Sequence, residues 1–127
     1  MTDSIRRLYE GVRAARGQDP ARSRTARLIA AGPRKIAKKV AEEAAEVALE
    51  SAAGNRVEVI RESADLLYHL VVLWSEADVQ PKDVWAEMDR REKLYGIAEK
   101  IQKTPLIEPK AGAQAMPLDR ARRRRVR

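Results

Sequence analysis

KKVAEEAAEVALES, residues 38–51, and IRESADLLYHLVVLW, residues 60–74, decide how this chain folds. Both read as helices, on which residues three or four apart share a face. In the first, Ile36, Val40 and Val47 form the apolar stripe, and Glu43 falls inside it, seven residues after Ile36 and four before Val47. In the second, Glu62 lies four residues before Leu66 and seven before His69, and Asp65 lies seven before Val72. Carboxylates aimed at apolar neighbours are costly unless something neutralises them. Side by side, the two helices bring Glu42-Glu43-x-x-Glu46 and Glu62-x-x-Asp65 together. An oxygen-only cluster of that kind suits a hard cation, and Mg²⁺ held this way also grips substrate phosphates. Lysines are the rival neutralisers, since Lys38–Glu42 and Lys39–Glu43 have i,i+4 spacing.

Working outward, the remaining chain is punctuated as helices. Asp3 or Ser4 caps a first one, with Ile5, Leu8, Tyr9 and Val12 as its stripe, and Gly17 and Pro20 end it. SRTARLIAAG, residues 23–32, reads as a brief second helix closed by Gly32. Pro33 suits the first turn of the long acidic helix, which runs to about Ala53, and Gly54 is its stop. Asn55 and Glu58 have capping-box spacing for the next helix, which ends near Ala77. Asp78 to Gln80 turn the chain, and Pro81 opens a last helix through about Tyr95. The expected fold is all-α, a bundle of four main helices. Residues 66–74, LLYHLVVLW, are apolar on almost every side and need covering all round. Dimerisation is therefore expected to complete the bundle. A domain over 1–103 and a basic, loosely ordered tail over 104–127 are expected, because Pro, Ala, Gly and Arg dominate after Lys103.

Composition removes several chemistries. With no cysteine and one histidine, thiolate zinc sites, cysteine nucleophiles and His-x-x-x-His sites are excluded. No apolar run approaches the roughly 20 residues that cross a bilayer, and the first residues lack a signal-peptide core, so no membrane partner is expected and the chain reads as cytoplasmic. From Pro105 onward, seven basic residues face two acidic ones, so the tail carries +5 of the net +7. The folded part is nearly balanced, and nucleic acid is not its expected partner, although RARRRRVR would bind phosphates without sequence preference.

Around the acidic cluster, Arg34, Lys35, Lys38 and Lys39 lie within two turns of Glu43, and phosphate oxygens are natural partners for such side chains. Arg34, Lys38 and Lys39 are the expected substrate contacts, with His69 as a hydrogen-bonded wall residue rather than a base. Glu42 points further from the stripe and reads either as a ligand or as a neighbour of the site.

At these residues the sequence resembles the phosphoribosyl-ATP pyrophosphohydrolase family of histidine biosynthesis, within the MazG-like nucleotide pyrophosphohydrolases. The superfamily pattern Glu-Glu-x-x-Glu, a gap, then Glu-x-x-Asp reads here as Glu42, Glu43, Glu46, Glu62 and Asp65. The narrower likeness is carried by KIAKKVAEEAAEVALES and ESADLLYHLVVLW, with DPARSRTARLIAAGPRK upstream and VQPKDVWAEMDRR downstream. Ala41 stands where the family commonly has glycine, and Trp74 where a smaller aliphatic residue is usual. The resemblance implies an all-α dimer and Mg²⁺-dependent hydrolysis of 1-(5-phosphoribosyl)-ATP to 1-(5-phosphoribosyl)-AMP and pyrophosphate. It implies Glu43, Glu46, Glu62 and Asp65 as metal ligands, which leaves Glu42 free to orient water. The nearest alternative is a house-cleaning pyrophosphohydrolase acting on ordinary or deoxy nucleoside triphosphates through the same metal site.

Overall fold

The computed structural model describes residues 3–96, and among them five helices and no strand occur. They are α1 (Ser4–Ala15), α2 (Arg24–Ala31), α3 (Pro33–Ala52), α4 (Arg56–Glu76) and α5 (Pro81–Tyr95). The fold is all-α, as expected. The expected domain boundary at 103/104 and the basic tail lie outside the described residues. Two compact units are present, one reaching Val84 and one beginning at Trp85, so α5 starts in the first and continues in the second.

Local chemistry sets the helix ends. The Asp3 carboxylate accepts from the Arg6 amide at 2.9 Å and opens α1, and the Ser23 hydroxyl accepts from the Ala26 amide at 3.0 Å and opens α2. Gly32, at φ 99°, takes a backbone state open to glycine, and Pro33 follows at the start of α3. At the other end of α3, Gly54 (φ 74°) is left-handed. The Asn55 amide reaches back to Glu50 O and the Gly54 amide to Ser51 O, both at 3.0 Å, which satisfies two orphan carbonyls. The same closure ends α4 with Asp78 in the left-handed position (φ 60°), Val79 donating to Trp74 O at 2.8 Å. One expectation needs correction: Asn55 precedes α4 but makes no side-chain capping bond. Glu58 instead pairs with Arg61 at 3.0 Å.

Within the first unit α3 and α4 form an antiparallel hairpin, and α1 and α2 pack across one end of it. Val12, Ile36, Val71 and Val72 are the buried centre, with Ile5, Leu8, Tyr9, Leu28 and Trp74 packed around them. Arg13 fastens α1 to the end of α4 by donating to Ser75 O at 3.2 Å, and Arg16 pairs with Glu76 at 3.3 Å. These contacts hold α3 against α4 in the register that brings the middle of each helix together. No helix among the described residues is long and apolar enough to cross a membrane.

Candidate active site

Glu43 comes from the middle of α3, and Glu62 and Asp65 from the facing stretch of α4. One ligand atom from each of the three lies within 4.8 Å of the others. Glu43 and Glu62 are half-buried and Asp65 is exposed. A hydrogen bond to the Glu43 carboxylate raises the pKa of Glu62 from 4.5 to about 6. Partial desolvation and the charges of Glu43, Asp65 and Glu46 push in the same direction. The cluster thus retains a proton where an isolated glutamate has lost it, as expected of carboxylates crowded around a place for positive charge. The donor set is all oxygen. Mg²⁺ takes oxygen ligands at about 2.0–2.1 Å, so opposite ligands stand about 4.2 Å apart, close to the spread of these carboxylates. The residues present fit such an ion.

Beside the carboxylates, α2, α3 and α4 line an open cavity of about 380 Å³ walled by Arg24, Arg27, Lys35 and Lys39, with Leu28, Ala31 and His69. Two residues join it to the acidic cluster. The Lys39 ammonium lies 3.5 Å from Glu42 and 3.9 Å from Glu43. His69, 2% exposed, has Nδ1 at 2.8 Å from Asp65 O. A carbonyl only accepts, so it is Nδ1 that donates in this bond. His69 is thereby fixed as a wall, and its bond holds the backbone of a clustered carboxylate.

The structure brings together Glu43, Glu62 and Asp65 of the expected ligands. Glu46 is exposed and outside that group of three, though near enough for its charge to act on Glu62. Glu42 is exposed beside Lys39. Of the expected substrate contacts, Lys39 and His69 line the cavity, while Arg34 and Lys38 are exposed and do not. Arg24 and Arg27 were not anticipated. A periodic signal existed on α3, where Lys35, Lys39 and Glu43 follow at steps of four and so share one face. No local signal tied α2 to it.

Comparison with known proteins identifies the family. The profile of the phosphoribosyl-ATP pyrophosphohydrolase family matches residues 5–92, a span holding all three clustered carboxylates and the cavity. The chain is similar to phosphoribosyl-ATP pyrophosphatase 2 of Rhodopseudomonas palustris, 61% identical over 111 residues that cover 87% of this chain and 85% of that protein. Phosphoribosyl-ATP pyrophosphatase 2 of Bradyrhizobium diazoefficiens is 57% identical over 113 residues, covering 89% and 84%. Phosphoribosyl-ATP pyrophosphatase of Gluconobacter oxydans is 55% identical over 96 residues, covering 76% and 72%. The chain belongs to the phosphoribosyl-ATP pyrophosphohydrolase family.

Proposed function

We propose that the protein hydrolyses 1-(5-phosphoribosyl)-ATP to 1-(5-phosphoribosyl)-AMP and pyrophosphate, the second step of histidine biosynthesis, with Mg²⁺. The convergence of Glu43, Glu62 and Asp65 in a chain of this family carries the reading. Glu43, Glu62 and Asp65, with Glu46 alongside, would hold the ion. When bound, it supplies positive charge that offsets the triphosphate and polarises its phosphoryl oxygens. The chain's own residues do the rest. In the reaction a water oxygen bonds to one phosphorus of the α–β anhydride. The bridging oxygen leaves on the other phosphorus with the bonding electron pair. Glu42 would orient the water and take its proton, and Lys39, 3.5 Å from it, would offset charge on the departing pyrophosphate. His69 keeps the wall of the site in place through Asp65.

The working form is proposed to be a homodimer. Val57, Ile60 and Leu67 lie along one face of α4, and with Leu49 of α3 they are exposed apolar side chains that a second copy would cover. The cytoplasm is its proposed location, which fits a biosynthetic enzyme with a nucleotide substrate.

Pyrophosphate release from phosphoribosyl-ATP, with and without Mg²⁺, beside a panel of ordinary and deoxy nucleoside triphosphates, tests the reading. Strong Mg²⁺-dependent preference for phosphoribosyl-ATP is expected. Preference for a free triphosphate would keep the metal site and move the protein to nucleotide-pool cleaning.

A further inference from the structure

We infer that Arg24, Arg27 and Lys35, in the cavity beside the carboxylates, seat the far phosphate of the substrate, the 5′-phosphate of the ribose that does not carry the triphosphate, and so separate phosphoribosyl-ATP from ordinary nucleoside triphosphates. The inference rests on the proposed activity and deepens it. Phosphoribosyl-ATP is anionic at both ends, and a cation held by three carboxylates accounts for only the triphosphate end. The other end needs its own positive charge, and the cavity supplies it.

Four basic side chains wall this space, and no carboxylate does. Among the described residues, neither Arg24, Arg27 nor Lys35 forms an ion pair, in contrast to Lys39, which is shared with Glu42 and Glu43. Like charges brought together without a carboxylate repel, and an anion is the group that relieves them. Two of these side chains are also held ready. Arg27 donates to Pro20 O at 2.6 Å, a contact that orients the guanidinium without neutralising it. Arg24 lies over the Tyr68 ring, 5.0 Å from its centroid, and the Tyr68 hydroxyl is fixed by Thr25 Oγ1 at 2.7 Å. Guanidinium groups held in place suit the planar recognition of a phosphate.

Position decides which phosphate belongs there. Lys39 and Lys35 precede Glu43 by one and two helical turns, about 6 and about 12 Å along the axis of α3. The two phosphorus atoms of pyrophosphate share one bridging oxygen, so the leaving group stays beside the carboxylates and Lys39. Lys35 lies further on, and Arg24 and Arg27 wall the same cavity, which gives a group separated from the triphosphate by adenosine and a second ribose a place to end. The cavity, at about 380 Å³, has room for a sugar phosphate and not only for one phosphate ion.

Calorimetric titration of the full chain in Mg²⁺ with phosphoribosyl-AMP, AMP and pyrophosphate tests this, using wild type, Arg27→Gln and Lys35→Gln, with circular dichroism to check folding. Lys35 sits on the exposed side of α3, so its variant serves if the loss of the Arg27–Pro20 contact unsettles α2. Wild type is expected to bind phosphoribosyl-AMP more tightly than AMP. Each variant is expected to lose about tenfold in phosphoribosyl-AMP affinity, as fits one charge-assisted hydrogen bond, with AMP and pyrophosphate little changed. A loss confined to pyrophosphate would assign the cavity to the leaving group and overturn the inference. So would an undiminished preference for phosphoribosyl-AMP in both variants. Turnover of phosphoribosyl-ATP by the wild type is read in the same series. If it is cleaved and the variants behave like wild type, this inference alone falls; if it is not cleaved, the proposed activity falls first.

Discussion

The two ends of the α3–α4 hairpin solve the same problem differently. Where α3 begins and α4 finishes, α1 and α2 cover the helices, and Val71 and Val72 are 0% exposed with Ile36 at 2%. Toward the Gly54 turn the apolar residues stay open: Leu49 is 66% exposed, and Val57 and Ile60 54% each. Glu43, Glu62 and Asp65 lie between the covered end and the open one. The closed end therefore fixes the register that makes the carboxylates meet, and the open end is the face that the proposed second copy would cover. A helix can be apolar all round without one chain burying all of it.

The sharpest way to break this comparison is at the junction. Glu62→Gln or Asp65→Asn should lower Mg²⁺-dependent pyrophosphate release by a factor of about 100 or more, the scale on which a lost charge-stabilising group acts. The circular dichroism spectrum should be unchanged, because neither side chain is in the buried centre. Near-normal turnover in both variants would remove these residues from the site.

At the closed end, Ile36→Ala should cost about 2–5 kcal/mol in urea unfolding, since a fully packed side chain is replaced by a cavity. At the open end, Ile60→Lys should leave helix content intact and shift the species in analytical ultracentrifugation from dimer to monomer. If Ile60→Lys instead remained a dimer, another surface would have to cover this stripe.

In the metal-free protein the crowding at Glu62 makes stability depend on pH. Glu62 has a folded pKa near 6, above its ordinary 4.5. The folded state therefore binds its proton more tightly, so this contribution to stability is fully present below about pH 4.5. It is lost as pH rises through about 6. Metal-free wild type should melt at a lower temperature at pH 7 than at pH 5, by a margin that Glu62→Gln reduces and Mg²⁺ at pH 7 offsets. Equal pH slopes in wild type and Glu62→Gln would show that the carboxylates do not crowd one another.

The smallest effect is expected at α2. Ser23→Ala removes the hydroxyl that accepts from the Ala26 amide and should cost about 1 kcal/mol by thermal unfolding. A change no larger than that of an exposed Ala-for-Ser swap elsewhere would make the cap dispensable.

Much of the hairpin was legible in the sequence. Gly32-Pro33 and Gly54 mark α3 because only particular residues tolerate those backbone states, and the phase of Glu43, Glu62 and Asp65 against their apolar stripes is a property of one helix at a time. Asn55 misled because capping-box spacing does not oblige the side chain to bond. Arg34 and Lys38 miss the cavity because each lies one residue, about 100° of helix, from the row that meets Glu43. Arg24 and Arg27 could not be placed from spacing at all. Their role depends on where α2 docks on α3 and α4, which is set by packing between distant parts of the chain.

Glu43, Glu62 and Asp65 together make the proposed divalent-cation site. Electron paramagnetic resonance of Mn²⁺ titrated into wild type and into Glu62→Gln tests it most directly. Saturable binding that Mg²⁺ competes away, strongly weakened in the variant, is the predicted result. Mn²⁺ binding equally well to both proteins, or to neither, would contradict it.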